Sequence, residues 1–185
     1  MRGAALRGDR ACRPSAQTRQ RLLVAAEQVF CCVGVADASL EAVVRAAGLT
    51  RGALYWHFAD KSALLMALLQ SRRLSLESIP LAALHRAPAS ALAGALIDTI
   101  DDPAQRRLCL LLARNATVVE VRQRSQMALF RLQRNIQRVA VDHQAGTAVR
   151  VCLLGALAEG LLRPEQFQTA RPLLEGWLAQ ALALG

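Results

Sequence analysis

Aromatic residues make up only 4% of this 185-residue chain, and Lys61 is the single lysine among its 23 cationic side chains. Its three histidines, His57, His85 and His143, lie far apart. No nucleophile elbow, phosphate-binding glycine loop or zinc-ligand spacing accompanies them, which argues against an enzyme and against a metal site built from His85, His143 and a cysteine. Five cysteines, Cys12, Cys31, Cys32, Cys109 and Cys152, are odd in number and lack a C-x-x-C spacing. Reduced thiols in a cytoplasm are the expectation. No uninterrupted apolar run reaches the roughly 18 to 20 residues that a membrane span needs. The N-terminal arginines are not followed by the hydrophobic stretch of a secretory leader. A soluble, cytoplasmic protein without membrane contact or cofactor is therefore expected. Strands are disfavoured as well, because β-branched and aromatic residues are few and no hairpin dipeptide separates alternating runs.

What is present favours helix. Hydrophobic residues account for 54% of the chain, mainly alanine and leucine. The formal net charge of +9 suits a polyanionic partner, although the excess is shared between both parts of the chain.

The sharpest local signal is the run from Ser39 to Lys61. Ser39 is placed to cap a short helix whose Leu40, Val43, Val44 and Ala47 recur at helical spacing, and Gly48 stands where the chain must turn left-handed. Thr50 then caps a second helix. Arg51, Gly52 and Tyr55 share one side of it, while Leu54 and Phe58, four apart, form the side that packs inward. A helix-turn-helix with cationic, hydroxyl and aromatic groups on its outer face suits DNA. An arginine near the start of such a helix can meet guanine O6 and N7 with two parallel bonds, and Gly52 leaves room for close approach. Tyr55 offers a hydroxyl to phosphate, and the helix N-terminus at Ser39 adds backbone donors. Asp60 is placed to cap a fourth helix, so the Lys61 ammonium is expected at the edge of this surface as a phosphate contact.

Around this core the spacing predicts a basic arm over residues 1–16, a first helix from Thr18 to about Val33, and a connecting helix from Asp60 to about Leu76. Pro80, Pro88 and Pro103 divide the next stretch, with a helix over Ser90–Ile100 and another starting at Pro103. A long helix over Val118–Val141 carries Arg122, Arg124, Arg131, Arg134 and Arg138, read as a solvated arginine face. After a loop around Gly146, residues 147–163 are apolar on nearly all sides and are expected to be covered all round, with Pro164 ending the helix. A last amphipathic helix spans Glu165–Leu184. Two such C-terminal helices fit an isologous four-helix interface between two copies, with Leu153, Gly155, Ala156, Gly160, Leu174, Trp177 and Leu178 as candidate contacts.

The stretches T-R-Q-R-L-L-V-A-A-E-Q-V-F and S-L-E-A-V-V-R-A-A-G-L-T-R-G-A-L-Y-W-H-F-A-D-K-S-A-L-L closely resemble the N-terminal module of TetR/AcrR-family transcriptional regulators, over about Thr18 to Leu69. Weaker similarity, through R-R-L-C-L-L-L-A-R-N and G-A-L-A-E-G-L-L-R-P-E-Q-F, points to the subgroup that represses multidrug-efflux operons. The resemblance implies an all-α protein: a three-helix helix-turn-helix module over 17–77, and a ligand-binding and dimerisation domain over 78–185 that pairs through its last two helices. It implies a homodimeric repressor on a pseudo-palindromic double-stranded operator, released by a small-molecule inducer. It places Thr50, Arg51 and Gly52 at the groove, with Tyr55, Trp56, His57 and Lys61 at the DNA backbone. A pocket with leucine and alanine walls is expected from Leu108, Cys109, Leu112, Met127, Phe130 and Leu157. Two alternatives share the fold: a trigger by oxidation of the adjacent Cys31 and Cys32, and a dimeric helical protein without an inducer or without DNA affinity.

Overall fold

Residues 16–183 are described by a computed structural model, and every regular element among them is helical. Helix α1, Ala16–Val33, buries Leu22, Leu23, Ala26 and Phe30, the stripe its spacing dictates. Helix α2, Leu40–Ala47, opens where Ser39 Oγ accepts the Ala42 amide at 3.1 Å. It closes at Gly48, whose φ of 61° lies in the left-handed region that a side chain makes costly. Helix α3, Arg51–His57, is capped by Thr50 and helix α4, Lys61–Gln70, by Asp60. Each cap satisfies an amide that the first helical turn leaves unpaired.

Helix α4 stops six residues before the expected Leu76. The chain instead turns through Leu74 into a tight 3₁₀ turn, Ser75–Glu77. The turn is stable because an arginine from a later helix, Arg124, donates to the carbonyls of Leu69 and Arg72 at 3.0 and 3.1 Å. Those carbonyls would otherwise be left without partners at a buried helix end.

The remaining elements are α5, Leu81–Arg86; α6, Pro88–Asp101; α7, Pro103–Arg114; α8, Val119–Gln137; α9, His143–Leu162; α10, Pro164–Phe167; and α11, Arg171–Ala183. Gly146, expected in a loop, lies inside α9, because Asp142 caps that helix earlier by accepting the Ala145 amide at 2.7 Å. Pro164 does not simply end a helix. It begins the short α10, and a 3₁₀ turn over Gln168–Ala170 separates that piece from α11.

Two cores form. The first is built from α1 to α4 together with Leu108, Cys109, Leu111 and Leu112 of α7 and Val121 of α8. The second runs from Leu76 through α6 and the end of α8 to Leu153, Leu174 and Leu178. Helix α7 thus packs with the helix-turn-helix although it follows α6 in sequence. Asn115, just past its end, receives the Val35 amide at 2.8 Å, and Arg114 donates to the Cys31 carbonyl at 2.9 Å.

The expectation that α9 is covered on all sides is not met. By length and composition α9 is apolar enough to cross a membrane, yet only 28% of that stretch is buried within the chain. Leu153 and Val149 face the second core, and Val151, Leu154 and Leu162 face outward. Gly160 is needed for close packing: a Cβ there would stand 2.2 Å from Ile100 Cδ1 of α6.

Candidate nucleic-acid interface

Helix α3 is anchored by Leu54, fully buried, and by Phe58 just beyond its end. With that side fixed, the helical repeat turns Arg51, Gly52, Tyr55 and Trp56 outward. Trp56 is 73% exposed and Tyr55 54%, so neither is held by the core. Two large aromatic rings left in water beside cationic groups are unusual for a surface that has no partner. Ser39 and Thr50 serve as helix caps through their hydroxyls. Arg51 pairs with Glu41 of α2, both well exposed, so the guanidinium is held toward the outer face rather than buried. Glu41 is a residue the sequence reading passed over; its place one turn into the preceding helix was the available signal. His57 is half-buried, its ring 6.1 Å from that of Phe58, and its Nε2 has no partner.

The reading of Lys61 as a phosphate contact is corrected. Its Nζ donates to the carbonyls of Val35, Ala36 and Ala38 at 2.8, 2.9 and 3.0 Å. All three ammonium protons are engaged, which ties the start of α4 to the turn between α1 and α2.

Behind the module lies a cavity of about 350 Å³ between α7, α8 and α9. Cys109, Leu112 and Leu157 line it as expected, joined by Leu129, Leu132 and Leu161. Leu108, Met127 and Phe130 do not. Leu108 is buried in the first core, while Met127 and Phe130 lie on the outer side of α8. A register error of about one helical step accounts for this, since the cavity side of α8 follows Val121, Ser125, Ala128 and Leu132. Burial, the largest influence, pushes the Cys109 thiol up to about 11; Arg124 opposes the rise and Glu77 adds to it. Burial likewise raises the Cys31 thiol, with the Glu27 carboxylate adding to the effect. Both thiols therefore stay protonated near neutrality, a poor state for oxidative triggering.

The arginine face of α8 also needs correction. Arg124 is buried and donates to Glu77 Oε1 at 2.6 Å, while Arg131 donates to Oε2 of the same carboxylate at 2.9 Å. Arg124 falls three residues after buried Val121, so its position on the inward stripe was a readable signal. A second buried glutamate, Glu27 of α1, sits between Arg72 at 3.7 Å and Arg107 of α7 at 3.5 Å.

Of the candidate dimer residues, Leu153, Gly160, Leu174 and Leu178 are corrected, because each is buried in its own chain's core. Gly155, Ala156 and Trp177 lie along a surface groove shared with Val151 and Leu173.

A three-helix helix-turn-helix carried on an all-helical bundle with an apolar cavity defines a class of helical DNA-binding regulators. Residues 22–68 match the family model described as bacterial regulatory proteins, tetR family. The HTH-type transcriptional regulator SrpR of Pseudomonas putida is 40% identical over 98 residues, covering 52% of this chain and 46% of SrpR. TtgW, an HTH-type transcriptional regulator also of Pseudomonas putida, is 40% identical over 98 residues, 52% of this chain and 72% of TtgW. Among solved structures, NalD, the secondary repressor of the MexAB-OprM multidrug efflux pump in Pseudomonas aeruginosa, superposes with a TM-score of 0.72 at 26% identity, over 90% of this chain and 96% of NalD. A complex of SmeT with triclosan gives 0.66 at 27% identity, over 90% of each chain. The chain belongs to the TetR family. It is a DNA-binding transcriptional regulator, not an enzyme, and is related to repressors of efflux operons.

Proposed function

We propose that the protein is a homodimeric repressor, of an efflux operon, that leaves a pseudo-palindromic operator when a small apolar compound enters the cavity between α7, α8 and α9. Residues 17–77 carry the DNA contacts and residues 78–185 those to ligand and second copy. One observation carries the reading: Arg124 joins the cavity's surroundings to the carbonyls that end α4. Helix α4 is the lever that sets where α3 points, so a change at Glu77 or Arg124 re-aims the DNA-reading face. Thr50, Arg51 and Gly52 read the groove. Ser39, Tyr55, Trp56 and His57 meet the DNA backbone. Lys61 supports the module from inside. The exposed apolar sides of α9 and α11, with Val151, Leu173 and Trp177, supply the surface for the second copy. The printed role of NalD as an efflux-pump repressor supports the same assignment by similarity.

Genomic fragments retained by the purified protein, followed by footprinting with and without triclosan as a probe compound, test the proposal. Protection of a two-fold-related site that fades with the compound is the expected result; no protected site on any fragment refutes it. On that site Arg51→Ala is expected to cost about 1–3 kcal/mol and to relax base preference, whereas equal losses on operator and random DNA would remove Arg51 from the reading role.

A further inference from the structure

The cavity has one charged side chain on its wall among the described residues, Glu77, and that carboxylate is nearly covered. Its Oε1 accepts from the Leu74 amide at 3.2 Å and from Arg124 Nη2 at 2.6 Å. Its Oε2 accepts from Arg131 Nη1 at 2.9 Å. A carboxylate oxygen has two lone pairs, so Oε1 is satisfied and Oε2 retains acceptor capacity. Two guanidiniums on one carboxylate leave this end of the cavity net positive. The rest of the wall is apolar apart from Cys109 and Ser125, and Ser125 Oγ already donates to the Val121 carbonyl at 3.0 Å.

These facts discriminate among ligands. An organic cation would be desolvated beside a net positive trio and would compete with Arg131 for Oε2. An anion would meet the Glu77 carboxylate itself. A neutral aromatic hydroxyl compound incurs neither penalty: its ring fills leucine and alanine walls and its O–H finds the one acceptor available. Building on the cavity reading given above, we propose that this end of the cavity selects aromatic hydroxyl compounds over organic cations of the same size, with the hydroxyl donating to Glu77 Oε2. Arg124 transmits the occupancy, because the guanidinium that holds Glu77 also holds the end of α4.

The test uses the full chain and a matched fused-ring series: 2-naphthol, 2-methoxynaphthalene, which lacks the donor, and 2-naphthylmethylammonium, which is a cation. Titration calorimetry near neutral pH is expected to give 2-naphthol an affinity about tenfold above either, the scale of one hydrogen bond to a charged acceptor. The same order is expected for release from DNA. An ether as tight as the naphthol, or a cation tighter than it, overturns the selection while leaving the cavity in place. Absence of binding by all three compounds overturns the cavity reading and this inference with it. Arg131→Met, at a partly exposed position, brings the local charge to neutral and is expected to narrow the naphthol-to-cation ratio about tenfold. An unchanged ratio, in protein whose helical circular dichroism is intact, removes the role assigned to charge.

Discussion

The first core and the second are made of the same residue types, yet they differ in how completely they cover themselves. In the helix-turn-helix part, Ser39, Thr50 and Asp60 cap successive helices, Gly48 closes α2, and Lys61 fastens α4 to the preceding turn. What it leaves exposed is polar or aromatic: Arg51, Tyr55 and Trp56. The C-terminal part leaves Val151, Leu154, Leu162 and Leu173 in water beside Trp177. A surface of the first kind suits a charged polymer and one of the second kind suits another apolar face. Between the two parts, the contacts are ionic and concentrated at two buried glutamates. Glu27 is held by Arg72 and Arg107, and Glu77 by Arg124 and Arg131.

Removing Arg124 strikes at that join and is expected to have the largest effect. Arg124→Ala leaves Glu77 with one partner and two carbonyls at the end of α4 without donors, an expected loss of about 3–5 kcal/mol in urea unfolding. A loss below about 1 kcal/mol would mean that the two parts are not coupled through this residue. Next is Lys61→Met, which removes three donated hydrogen bonds from the first core alone. An expected loss of about 1.5–3 kcal/mol in stability, with operator and random DNA affected alike once the protein is folded, separates a structural lysine from a phosphate contact. Smallest for the isolated chain is Trp177→Asp. Its exposed ring contributes little to the monomer, so stability per chain is expected to stay within about 0.5 kcal/mol. Sedimentation is expected to shift from dimer to monomer, and an unchanged dimer would place the second copy elsewhere.

The parts of the molecule that sequence rendered legible are those governed by short-range rules. Caps at Ser39, Thr50 and Asp60 and the left-handed Gly48 act within four residues, so pattern alone located the helix-turn-helix and the outward side of α3. The cavity register was not legible. Leu108, Met127 and Phe130 sit among apolar neighbours at similar spacing, and only packing against α9 decides which row of α8 turns inward. Arg124 and Arg131 resembled the other arginines of α8 because their partner, Glu77, lies about fifty positions earlier.

Local hydrogen-bond satisfaction and periodicity, both readable along the chain, were enough to make it helical, to start its first four helices, and to leave one outer face of α3 available to DNA. Long-range packing alone settled that Lys61 braces the module, that α7 belongs with the first core, and that α9 remains half uncovered. Those outcomes depend on which distant groups meet, and a buried charge or an apolar stripe does not carry its partner's address in its own neighbourhood.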